Sequence, residues 1–185
     1  MVADLKSLQN YIHAIEKKLA AGDATEHTHR PALKAMLESL DITITPTNEP
    51  KHIECGAPDF ILRKGSVTVG YIEAKDIGKS LDEAEKTDQL KRYRDSLTNL
   101  ILTDYLESRW YVDGECRLKA HLGSPTKDGK IRRDKDIQDV AELFNNFLSH
   151  RAEGVGTPRE LAQRMGKTRY TTCQYLTRIK KQFIL

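Results

Sequence analysis

The sequence predicts an α/β or α+β core followed by a helical extension. Three observations carry that expectation. Apolar residues at three- and four-residue spacing open the chain and return after residue 136. Between them lie short alternating or wholly apolar runs of strand length. One helical stretch, between residues 80 and 99, interrupts those runs. At 185 residues, the chain is sized for one domain, or one with a small appendage.

Leu5, Leu8, Ile12, Ile15 and Leu19 place a helix over residues 3–20, ended by Ala-Gly-Asp at 21–23. HRPALKAMLESL carries a second helix. Leu33, Met36, Leu37 and Leu40 form its apolar face, with Pro31 in the first turn. ITIT at 42–45 alternates as a strand, and Pro46 and Pro50 bracket a loop. DFILRK and VTVGYIEAK read as two strands around Gly65-Ser66. Helical spacing from Ser80 to Asn99 sets Leu81, Ala84, Leu90, Tyr93 and Leu97 on one side. NLILTD at 99–104 is a short buried strand. SRWYVDGECRLKAHL is a hairpin turning at Asp113-Gly114, with Trp110 and Tyr111 as one core and one surface residue. The polar, turn-rich residues 123–136 are expected to form a mobile loop. Helices then cover 137–150 and run from Thr157 to near the end. The expected boundary separates a core over 1–136 from a helical extension over 137–185.

Composition excludes several classes. No apolar run approaches the length of a membrane span. The opening residues are amphipathic and charged, unlike a signal peptide. Cys55, Cys116 and Cys173 make neither a disulfide framework nor a CxxC zinc pair, which fits a reducing cytoplasm. Cys55 reads as a small buried residue. His27 and His29 lie close together, but nothing else stands at zinc-ligand spacing, so both read as surface or hydrogen-bonding residues. There is no glycine-rich cofactor loop and no Asn-Pro-Pro-Tyr-like methyltransferase motif. The net charge of +3 is mild but unevenly spread. Residues 151–185 carry eight Lys/Arg against two Glu, and the first 150 residues carry 22 against 25 acidic. The basic tail is a candidate for phosphate or an acidic partner, or a solvated helix face.

The candidate site lies in GAPDFILRKGSVTVGYIEAK, residues 56–75. Asp59 opens one apolar run, and Glu73 and Lys75 close the next. Strands rarely bury charge without a reason. Glu73 and Lys75, two apart on a strand, point to one face. A plain two-residue Gly-Ser turn pairs Lys64 with Val67 and sets Asp59 opposite Ile72, on the wrong face. A three-residue loop or one bulge pairs Asp59 with Glu73 and gathers all three charges. Two adjacent carboxylates repel unless protonated or bridged by a cation. Mg²⁺ suits such a pair, since it binds through one or two carboxylates and keeps several waters. A neighbouring lysine would complete a hydrolytic set.

Pro58-Asp59, the strand-turn-strand, and Glu73-Ala74-Lys75 together resemble the PD-(D/E)XK nuclease signature. The resemblance implies a restriction-endonuclease-like α/β fold, a mixed sheet flanked by helices. It implies Mg²⁺-dependent hydrolysis of DNA phosphodiesters, with Mn²⁺ able to substitute. Asp59 and Glu73 would hold the metal, joined by the Ala74 carbonyl, and Lys75 would assist the nucleophile. An acidic residue from a preceding helix often joins such sites, and Glu26 in TEHTHRPALK is the match. Gln89 and Tyr93 match a Q-x-x-x-Y element seen in some branches and share a helix face. More narrowly, TEHTHRPAL, GAPDF, YIEAKD and the Gln89-to-Tyr93 segment resemble the N-terminal nuclease domain of single-chain restriction–modification enzymes, over roughly residues 5–120. Partners would then be double-stranded DNA and a methyltransferase or specificity part on this or another chain. A homodimer would supply the two sites needed to cut both strands.

Each element has a plainer alternative. E-x-K recurs as Glu16-Lys17-Lys18 on a helix, where it is solvated. The site charges could be a structural salt bridge. Glu26 could be a first-turn carboxylate favoured by the helix dipole, and Gln89 a polar position beside a core tyrosine. TPRELAQRMGKTRYTTCQYLTRIKK has the look of a helix-turn-helix exposing Arg169, Thr171, Thr172 and Gln174, or of a linker to a further domain. The rival function is therefore a non-catalytic DNA-binding or assembly module on a nuclease-like fold.

Overall fold

The computed structural model describes residues 5–22, 26–48, 55–135 and 137–150. Helices α1 (Leu5–Leu19) and α2 (Arg30–Leu40) come first, with a 3₁₀ turn at Glu26–His29 between them. Strands β1 (Ile44–Asn48), β2 (Phe60–Lys64) and β3 (Val67–Ala74) follow. Two short helices, α3 (Leu81–Glu85) and α4 (Asp88–Ser96), lead to β4 (Asn99–Thr103), β5 (Glu107–Val112) and β6 (Glu115–His121). A small hairpin, β7 (Gly123–Pro125) and β8 (Ile131–Arg133), precedes α5 (Ile137–Ser149).

Strands β1 to β6 form one sheet in chain order. All neighbours are antiparallel except β3 and β4, which are parallel. A parallel pair needs a long crossover, and α3 with α4 supplies it. Strand alternation sends side chains to two faces. Phe60, Leu62, Ile72, Ala74 and Ile101 pack in one cluster with Leu8, Ile12, Leu33, Leu37, Phe144 and Phe147 of α1, α2 and α5. Leu100, Leu102 and Tyr111 pack on the other face with Leu81, Leu90 and Tyr93 of α3 and α4. The result is a mixed six-stranded sheet flanked by helices, the fold class expected from the sequence.

Several local expectations hold. Asp113 and Gly114 have φ of 50° and 82°, and Val112 pairs with Glu115. Positive φ at both central residues is what a two-residue hairpin turn requires. Pro31 lies in the first turn of α2. Tyr111 is buried, and Trp110 is half-buried with its Nε1 donating to Asn99 Oδ1 at 2.7 Å.

Others change. The helix expected over 80–99 is two. Ser80 caps α3, its hydroxyl accepting from the Glu83 amide, and Thr87 caps α4, accepting from the Leu90 amide. The first strand sits two residues later than ITIT and takes in Pro46. It is an edge strand, where a missing N–H is tolerated. Within the mobile loop expected over 123–136, the described residues form the β7–β8 hairpin. Ile131 is buried, its amide donates to Glu16 Oε1 at 3.0 Å, and Asp134 Oδ2 meets His121 Nδ1 at 2.7 Å. Helix α5 packs on the sheet, with Phe147 seated over Gly70, where a Cβ would lie 2.5 Å from the ring. One compact unit runs to His150. The helix-turn-helix and linker expectations lie in 151–185, outside the described residues.

Candidate functional site

The hairpin β2–β3 has both a two-residue turn and the geometry the site demands. Lys64 pairs with Val67 across Gly65-Ser66. The register then shifts between Leu62 and Arg63, because Arg63 pairs with Thr68 but Leu62 pairs with Gly70. Val69 is the extra residue of a β-bulge. Beyond it Phe60 pairs with Ile72, so Asp59 falls opposite Glu73. The bulge turns every later residue of β3 to the face it would otherwise avoid.

Asp59 reaches across the pair, its Oδ2 accepting the Ala74 amide at 2.8 Å. Its Oδ1 meets the Arg30 guanidinium through Nη2. Arg30 Nη1 also donates to Asn48 Oδ1 at 3.3 Å. Lys75 Nζ stands 2.7 Å from Glu73 Oε1, and the side chains are 26% and 5% exposed. The backbone amide of Lys75 donates to Thr103 O at 2.8 Å. Asp104 secures the loop that follows, its carboxylate accepting from the amides of Gly78, Leu106 and Glu107 at 3.0, 3.0 and 2.7 Å. Glu73, Lys75 and Asp104 thus sit at the C-terminal ends of the two parallel strands, where open α/β sheets place ligands.

Gln89 and Tyr93 lie beside these carboxylates. Gln89 Nε2 donates to the Tyr93 hydroxyl at 3.2 Å. Burial pushes that hydroxyl's pKa up, the Gln89 hydrogen bond opposes the shift, and the charges of Glu73 and Asp59 add to it. Gly56 packs on the same ring. Its φ is +136°, and a Cβ there would stand 3.0 Å from Tyr93 Cε1 and the hydroxyl oxygen. GAPD therefore holds Asp59 and also seats the helix that carries Gln89.

The remaining predicted residues divide. Glu26 opens the 3₁₀ turn that leads into α2, but its side chain lies outside the described residues. Cys55 is half-buried rather than buried. His27 is exposed. His29 is buried against Tyr105, with ring centroids 5.3 Å apart, and its Nδ1 has no hydrogen-bond partner among the described residues. Burial pushes the His29 pKa down, only partly offset by Asp76. Sequence reasoning missed Arg30 and Asp104. Arg30 had a legible signal: a cation in a helix's first turn opposes the dipole and asks for a specific anion.

The ligand set that the resemblance implies is two carboxylates, Asp59 and Glu73, with the Ala74 carbonyl. Among the described residues, no group of three or more His, Cys, Asp or Glu could hold a metal ion. A two-carboxylate set is what Mg²⁺ uses when it keeps most of its waters, so the residues fit that ion. Arg30 on Asp59 and Lys75 on Glu73 are cations it would have to share the carboxylates with.

No protein-family model matches the chain, and no curated protein does. Among solved structures, the fold is similar to a chain in the cryoEM structure of a DrdV–DNA complex, with a TM-score of 0.64 and 21% identity. The match covers 81% of this chain and 14% of that one. The likeness is one of fold, and this chain spans a small part of that protein's length.

Proposed function

We propose that the chain is a metal-dependent DNA endonuclease domain, the nuclease part of a restriction–modification system. The observation that carries this reading is the bulged register, which opposes Asp59 to Glu73 and leaves Lys75 on the same face. A bulge that re-aims side chains costs ladder hydrogen bonds and is a common device next to active sites. The similar fold in a DNA complex favours DNA as the substrate.

Asp59, Glu73 and the Ala74 carbonyl would hold Mg²⁺ or Mn²⁺, with Glu26 as a further ligand. The ion supplies neutralisation of phosphoryl charge and a more acidic water. The chain's own residues do the rest. The Ala74 amide and Arg30 hold Asp59 in one orientation. Lys75 places a donor where an attacking water must line up with the scissile P–O bond. The leaving oxygen takes its proton from solvent. Gln89 and Tyr93 line the same site and present an amide and a hydroxyl to a phosphate oxygen.

Plasmid nicking tests this. Wild type should nick in Mg²⁺ or Mn²⁺, and Lys75→Ala and Asp59→Ala should each lose the activity. Absence of nicking together with absence of metal binding by calorimetry sinks the proposal. One observation favours a second reading. Each site carboxylate already has a cation on it, Arg30 or Lys75, as a salt-bridged, non-catalytic DNA-binding module would. Mg²⁺ separates the two, because a catalytic site is thermally stabilised by the ion and a salt-bridged module is not.

A further inference from the structure

The sheet's strand directions bring a basic rim to the same end as Lys75. β5 is antiparallel to β4, and β6 is antiparallel to β5. β6 therefore runs in the same sense as β3 and β4. Ala74, Thr103, Ser108 and Ala120 are successive partners across the four strands. Three strand spacings put Ala120 about 14 Å from Ala74. The β7–β8 hairpin begins three residues later, at the end of the sheet where Lys75 lies.

The hairpin is tied to the C-terminal turn of α1. The Ile131 amide donates to Glu16 Oε1, and a Cβ on Gly129 would lie 2.8 Å from Ala20 Cα. The end of α1 also reaches toward the site, because His29 feels both Lys18 and Asp76, the residue after Lys75. Lys17 and Lys18 on that turn, and Lys127, Lys130, Arg132 and Arg133 on the hairpin, are all exposed. None of the six forms an ion pair with a described residue. The acids among them are engaged. Glu16 takes the Ile131 amide, Asp128 the Thr126 hydroxyl, and Asp134 His121. Among the described residues these six cations outnumber the three carboxylates, so positive charge dominates this rim.

We propose that these six cations are a contact surface for the phosphate backbone of duplex DNA, seating the duplex beside Lys75. The proposal rests on the DNA reading above but not on catalysis. Duplex DNA carries one charge per about 1.7 Å of axis, so cations at the same end of the sheet as Lys75 would meet phosphates that flank the scissile bond. Such contacts set position and carry no base preference.

The test is fluorescence anisotropy with the full 185-residue chain, two labelled duplexes of unrelated sequence, EDTA throughout and a series of salt concentrations. Arg132→Gln/Arg133→Gln and Lys127→Gln/Lys130→Gln are each compared with wild type. All four residues are exposed, so the fold should survive either change. Each double variant should weaken binding of both duplexes alike. Each should also make the slope of log K on log salt shallower by about 2, one lost counterion per cation. Slopes unchanged in both variants overturn the proposal, as does tighter binding to anionic vesicles than to duplex at equal salt. Shallower slopes with neither nicking nor metal binding sink catalysis and leave this surface standing. Nicking with unchanged slopes does the reverse.

Discussion

Lys75→Met removes the ammonium 2.7 Å from Glu73 Oε1 and keeps an apolar stem of similar length. Breaking a buried ion pair costs about 3–5 kcal/mol, and an exposed pair is worth at most about 1 kcal/mol. Here Glu73 is buried and Lys75 is a quarter exposed, which sets the cost at roughly 2–3 kcal/mol between those limits. For a domain of this size, each kcal/mol moves Tm by about 2–4 °C. The variant should therefore unfold roughly 5–10 °C below wild type in EDTA. The assay is thermal unfolding by circular dichroism, repeated with Mg²⁺ in place of EDTA. A cation on Glu73 restores the lost charge, so the gap between the two proteins should narrow in Mg²⁺. Equal Tm values in EDTA refute the claim that Lys75 stabilises a buried charge. A full gap that persists in Mg²⁺ refutes the two-carboxylate cation site.

Two further predictions concern the scaffold. Burial pushes the Glu85 carboxyl up, but hydrogen bonds from Tyr111 and Arg109 outweigh it and hold the pKa below the usual range. A depressed carboxyl stabilises the fold above its unfolded pKa, near 4.5, and that contribution is lost as pH falls through the folded value. Tm should fall steeply below about pH 4.5 in wild type and less steeply in Arg109→Met; parallel acid limbs would count against the network. Asn99→Ala deprives the Val69 and Phe147 carbonyls of their 2.8 and 3.0 Å donor. It should cost about 2–4 kcal/mol in urea unfolding, and a loss below about 1 kcal/mol would mean that the bulge needs no such support.

The elements most legible in the sequence were those whose signal is local. Asp113-Gly114 fixes its turn through backbone chemistry alone, and the periodicity of α1 and α2 needs no partner to be read. What was not legible depends on partners. α5 has a clear apolar face, but nothing in 137–149 says that the sheet covers it. Residues 123–136 carry one buried apolar residue, Ile131, and polar composition hides a hairpin held by Glu16 from the far end of the chain. Thr87 splits the crossover helix through a cap that any mid-helix threonine could offer on paper. Asp59, Glu73 and Lys75 were legible because strand alternation is a strict rule. Arg30 carried only the local signal of a cation at a helix start; its anion, 29 residues away, could not be read from it.

The bulge shows how a strict rule and a missing position combine. A two-residue turn and a shared face for Asp59 and Glu73 are incompatible in a regular hairpin, so an extra residue had to exist. Its place is set by chemistry elsewhere. A bulge disrupts the ladder and releases backbone groups that burial would leave unsatisfied. The released Val69 carbonyl is met by Asn99, a buried amide at the start of β4. Asn99 in turn is held by the Trp110 indole and by the Phe147 carbonyl on α5. Gly70, the next residue, lacks the side chain that would strike the Phe147 ring. One asparagine, one tryptophan and one glycine thus fix the register of β3, and that register decides which way Glu73 points. The positioning of the candidate site therefore extends through the sheet to α5, the helix whose place in the core the sequence did not disclose.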